Sequence, residues 1–238
     1  YGMRGILVLF MTASILDGGL DFSNASASAI YGIYAASVYL ATLPGGWIGD
    51  NLFGQQKTIL YGGIIIMLGH LSLAIPNINS FYMGLILVVI GTGLLKPNIS
   101  ALVGSLYENN TELRQSGFTI FYMAINIGSI LGFFICGYLG ENIGWHYGFG
   151  AAGIGMALGL MQYIYNMKLL EGYGAEPFNK VSVIEKNKYN KIILFTLLFI
   201  ILITVSGLLG LWKINPIPFA NMLTVIITLI SLSYFFYI

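Results

Sequence analysis

The chain has 238 residues, 57% of them hydrophobic and only 8% charged, with a formal net charge of +1 and a mean hydropathy of +0.84. Soluble domains carry roughly a quarter charged residues, so this composition excludes one and points to an integral membrane protein. The near-neutral charge argues against a nucleic-acid partner, and a single cysteine, Cys136, rules out an intrachain disulfide and suggests inert packing in its apolar setting.

Eight apolar runs of about the length that spans a bilayer core follow one another along the chain. They are too long and too unbroken for strands of a membrane barrel. The first, residues 1–16, opens on Tyr1 and reads as a truncated helix that carries Arg4. The second, 29–49, carries Tyr39 and runs into GGWIGDNLFGQQK, where Gly46, Asp50 and Gly54 stand four apart. Glycines there allow close backbone approach, and Asp50 at a helix end is suited to bonding a neighbouring helix terminus, so the segment reads as a gating and structural device.

The third run, 58–75, holds a lone His70; with His146 equally isolated, and no acid or cysteine at ligand spacing, a metal site is not expected. The fourth, 81–106, contains Lys96 away from its ends. A charge inside hydrocarbon costs at least a few kcal/mol and normally faces a wet cavity or a partner. Lys96 therefore either pairs with a carboxylate elsewhere in the bundle or snorkels past Pro97 to the inner surface. Thr92, Lys96 and Ser100 share one helical face.

In the fifth run, 117–140, Thr119, Tyr122, Asn126 and Ser129 form a second polar stripe. Helix–helix hydrogen bonding accounts for its Thr and Ser members, whereas the Asn126 amide beside Tyr122 is a candidate for the lining of a site. The sixth run is 146–167; GxxxG spacings at Gly128/Gly132 and Gly155/Gly159 read as generic packing. A polar stretch, 168–191, leads to two further runs, 192–212 and 217–238, joined by a turn at 213–216. Neither carries an intramembrane charge.

Loops 50–57, 107–115 and 168–191 hold Lys57, Arg114, Lys168, Lys180, Lys186, Lys188 and Lys191, while loops 17–28, 76–80 and 141–145 hold no basic residue. The first set is therefore cytoplasmic, with Lys213 a minor exception outside. At about 1.5 Å per residue, Arg4 lies roughly 18 Å below the outer end of its run, Tyr39 roughly 15 Å below, and Asn126 roughly 14 Å above the inner end. Three polar groups near the midplane are what a secondary transporter's substrate site requires. Arg4 either turns its planar fork into a cavity, where it suits a carboxylate, or snorkels to the surface. No phosphate loop or nucleophile triad is present in the sequence, so no enzymatic role is expected.

Three segments, GGWIGDNLFGQQKTILYGG (45–63), GTGLLKPNIS (91–100) and FTIFYMAINIGSI (118–130), resemble the proton-dependent oligopeptide transporter (POT/PTR) family of the major facilitator superfamily. The opening YGMR is similar to the end of that family's first-helix E-x-x-E-R-F motif. The resemblance implies an all-α membrane fold: an N-terminal six-helix bundle over 1–167, a cytoplasmic linker over 168–191 and an additional hairpin over 192–238, with a C-terminal six-helix bundle expected outside this chain. It implies symport of di- and tripeptides, driven by the proton gradient with no other cofactor, in a bacterial inner membrane, by a monomer. Arg4 would bind the peptide carboxylate, with Tyr1, Tyr39, Tyr122 and Asn126 lining the pocket. Lys96 would take part in proton coupling, and Gly46, Asp50 and Gly54 would belong to the cytoplasmic gating motif. Asn51 and the lone Lys57 depart from the more basic family pattern there. Transport of another anion, such as nitrate or an amino-acid conjugate, and a non-transporting scaffold or receptor are the alternatives.

Overall fold

A computed structural model describes the chain except residues 109, 110, 171, 180, 210, 212–214 and 238, and except the side chains of 183, 208 and 234–237. Lys180, Lys213 and most of the turn expected at 213–216 thus lie outside the described residues. Among the described residues the eight apolar runs form eight α-helices: α1 (Gly2–Thr12), α2 (Asn24–Ile48), α3 (Gln55–Leu73), α4 (Ile78–Leu106), α5 (Thr111–Asn142), α6 (Trp145–Asn166), α7 (Val183–Leu208) and α8 (Pro216–Tyr237). Among the described residues there is no strand. Five stretches are long and apolar enough to cross a membrane: Asn24–Phe53, Ile78–Leu106, Thr111–Asn142, Ile184–Gly207 and Pro216–Ser233. α3 and α6 have the length, at 19 and 22 residues, but Gln, Lys, Gly and His dilute their apolarity.

Several helix ends differ from expectation, each for a local reason. α1 stops at Thr12, not at residue 16. Ala13 turns to extended backbone, and Ser14 then accepts from the amides of Leu16 and Asp17 to start a separate 3-10 turn. Arg4 therefore sits eight residues, about 12 Å, from the end of its helix rather than 18 Å. α7 begins nine residues before the expected position because Ser182 and Glu185 form a reciprocal capping box. Lys186, Lys188 and Lys191 consequently ride on the first turns of a helix instead of a linker. α5 extends past both expected ends, and this leaves Asn126 at its middle.

α4 is the central element, wrapped by α2 and α3, while α1 packs on α5 and α6. The core lies between them. Phe10 of α1 meets Phe81 of α4 at 5.5 Å and Phe149 of α6 edge-on at 5.3 Å between ring centroids, with Met3, Ile6, Leu7 and the buried Cys136 around them. Aromatic pairs of this geometry add to the area that they bury.

α2 and α4 cross at a backbone-to-backbone contact between Gly45 and Gly93, where neither residue has room for a Cβ. The fully buried Asn98 seals this crossing, donating its amide to the carbonyls of Gly45 (2.9 Å) and Leu94 (2.7 Å). The GxxxG pairs singled out in the sequence behave differently: Gly128, Gly155 and Gly159 have open space where a Cβ would stand, and of the four only Gly132 approaches a neighbour, at Gly2. Packing glycines are chosen by the helix that faces them, which their spacing does not encode.

Candidate functional site

The two intramembrane cations each lie against a tyrosine. The Arg4 guanidinium carbon is 5.5 Å from the centroid of the Tyr34 ring, within hydrogen-bonding reach of the Tyr34 hydroxyl and close to Tyr31 and Tyr39. Lys96 Nζ stands 4.5 Å from the centroid of the Tyr39 ring. A cation over an aromatic face gains roughly 0.5–1 kcal/mol at an exposed site and more as the pair is desolvated. Among the described residues neither cation has a carboxylate partner, and Lys96 rests on a π-face.

These contacts follow from helical register. Tyr31, Tyr34 and Val38 recur at spacings of three and four, so one face of α2 carries Tyr34 into the core beside α1. Tyr39 points elsewhere, is exposed, and meets Lys96 from α4. Lys96, Tyr39, Tyr122 and Asn126 are all exposed, and Arg4 is half-buried. Tyr122 stacks on Phe118 and packs against Phe121. Tyr1 meets Arg4 through the backbone, its carbonyl accepting from the Arg4 amide (2.9 Å), but no described side-chain contact links Tyr1, Tyr122 or Asn126 to the Arg4 guanidinium or the Lys96 ammonium. The structure thus brings Arg4, Lys96 and Tyr39 together with α2 tyrosines, and leaves Tyr1 and the α5 pair on the open surface.

Sequence reasoning missed two residues. Tyr34 is 5% exposed, and its signal was a phenol in the interior of a membrane helix, which needs a partner for its hydroxyl. Asn98 carried the same signal, an amide two residues beyond Lys96.

The GGWIGDNLFGQQK segment forms a π-helical turn, Gly49–Phe53, ended by Gly54 at φ 79°. The segment after α6 lies across it. Gln56 donates its backbone amide to the Gly174 carbonyl (2.9 Å) and its side-chain amide to the Tyr173 carbonyl (2.7 Å). Asn179 donates to the Asp50 carbonyl (2.9 Å) and to Asn51 Oδ1 (3.1 Å). Asp50 therefore contributes its backbone carbonyl, and its carboxylate bonds no helix terminus among the described residues. A Cβ on Gly54 would meet the carbonyl oxygen of Ala175 at 2.6 Å. Left-handed backbone costs an L-residue about 1–2 kcal/mol in addition. Gly54→Val is expected to release residues 172–179 from the α2–α3 turn, seen as faster cleavage of this segment by limited proteolysis; cleavage at the unsubstituted rate would refute the contact.

A cleft of about 720 Å³ lies between α2, α4 and the α7–α8 hairpin. Isoleucines 30, 33, 86, 90, 200 and 203 dominate its walls, so it is not the site of the cations, although Tyr34 forms part of its wall.

A helical, multi-span chain with two basic side chains held against tyrosines defines a multi-pass membrane protein with a polar seam. A match to the POT family covers residues 56–204. The chain is 38% identical to the peptide transporter YePEPT of Yersinia enterocolitica over its whole length, covering 48% of that protein. It is 39% identical to a di-/tripeptide transporter of Lactococcus lactis, over 98% of this chain and 47% of that protein. A crystal structure of the peptide transporter POT in complex with sulfate superposes with a TM-score of 0.86 at 37% identity, covering 97% of this chain and 48% of the other. The chain belongs to the POT family. It spans about half the length of the curated relatives that it matches.

Proposed function

We propose that the protein containing this chain is a proton-coupled symporter of di- and tripeptides, working by alternating access. Residues 1–167 would be its N-terminal bundle, 168–191 a cytoplasmic linker and 192–238 an added hairpin, rocking against a second bundle in a bacterial inner membrane. Arg4 carries the reading: it is an intramembrane guanidinium with tyrosines around it and no described carboxylate, and so keeps donors free for the carboxylate of an incoming peptide. Lys96 over Tyr39 would supply the coupling charge, and Tyr1, Tyr122 and Asn126 the adaptable wall. Gly46, Asp50 and Gly54 would serve the cytoplasmic gate. The relatives that transport peptides support the substrate class.

The test is uptake of labelled dialanine by the full-length protein in liposomes, with and without an inward proton gradient. Uptake that needs the gradient and is competed by other dipeptides supports the reading. Arg4→Ala is expected to weaken dialanine binding about 10- to 100-fold, the range for losing hydrogen bonds to a charged group, with correct insertion retained. Unchanged affinity would remove Arg4 from the site. The likeness to a POT transporter in complex with sulfate favours a small anion as the second reading; competition of uptake by sulfate or nitrate, and not by dipeptides, would select it.

A further inference from the structure

We infer that Tyr34 is a positioning residue for Arg4: it holds the guanidinium so that its free edge faces the substrate carboxylate. The inference rests on the carboxylate-binding reading of Arg4. Tyr34 is 5% exposed and belongs to the hydrophobic core, so close-packed neighbours hold its ring. Its partner in reach is the Arg4 guanidinium, whose carbon lies 5.5 Å from the ring centroid. The ring also forms part of the wall of the apolar cleft beneath the hairpin.

Guanidinium has five N–H donors in a fixed plane. Anchoring one edge on a rigid phenol leaves the other edge for a bidentate carboxylate, and it removes rotamer freedom that binding would otherwise cost. Phenylalanine at 34 would keep the packing and the π-face but lose the anchor. The effect should therefore depend on the ligand carboxylate, which distinguishes positioning from core packing.

The experiment compares affinities for dialanine and for its C-terminal amide in the full-length protein, unsubstituted and Tyr34→Phe, alongside thermal unfolding. The ratio of the two affinities is expected to fall about tenfold in Tyr34→Phe, with little change in unfolding temperature. In an Arg4→Lys background, which lacks the fork, Tyr34→Phe is expected to change the ratio no further. An unchanged ratio in Tyr34→Phe, or equal losses for acid and amide, would overturn the inference while leaving the transport reading intact. An additional fall of the same size in the Arg4→Lys background would overturn it too, since Tyr34 would then act independently of Arg4. Failure of the unsubstituted protein to bind or take up dialanine would overturn the transport reading, and the inference with it.

Discussion

Lys96→Ala is expected to abolish gradient-driven dialanine uptake while sparing part of the exchange of labelled for unlabelled peptide. The ammonium stands over Tyr39 on the exposed face of α4, with no described acid beside it. A lysine held in an apolar helix by a π-face alone is poised for a carboxylate whose protonation would release it, and gradient coupling needs such a change in pairing. Exchange runs with no net proton flux, so it does not need the same step. Normal gradient-driven uptake by Lys96→Ala would sink the coupling role. Loss of exchange and uptake together, from correctly inserted protein, would move Lys96 into substrate binding.

Gly45→Val is expected to destabilise the bundle by about 4 kcal/mol, combining overpacking with a broken buried hydrogen bond. A Cβ at Gly45 runs into the Gly93 carbonyl and reaches the Leu94 nitrogen at 2.9 Å, both backbone atoms that no rotamer change can move. Separating α2 from α4 also strips Asn98 of its bond to the Gly45 carbonyl, adding to an Oδ1 that is already buried without a partner. Detergent-solubilised Gly45→Val should unfold at a markedly lower temperature or elute as aggregate. Gly155→Val meets open space and should behave like the unsubstituted protein. Equal stability of the two variants would refute the crossing.

The sequence was sufficient for class, helix count and the candidate cations. Hydrocarbon excludes unpaired backbone, so about 20 apolar residues in a row have one structural outcome, and the eight runs became eight helices. It also made Arg4 and Lys96 legible, because a charge in an apolar run is costly wherever the neighbours lie. Helix ends were less legible. The capping box at Ser182 and Glu185 is a local signal that was present but outweighed by the polar composition around it.

Only the tertiary structure decided which side chain meets which. Tyr34 and Tyr39 are both tyrosines in one apolar run, yet one is buried under Arg4 and the other open beside Lys96. Likewise Gly45 became the crossing point and Gly155 an empty surface, although both read as small residues of membrane helices. The physical reason is that hydropathy fixes a helix's depth in the bilayer through a one-dimensional sum over its residues. Rotation about the helix axis is fixed by close contacts with neighbouring helices, and those contacts belong to pairs of residues far apart in the chain.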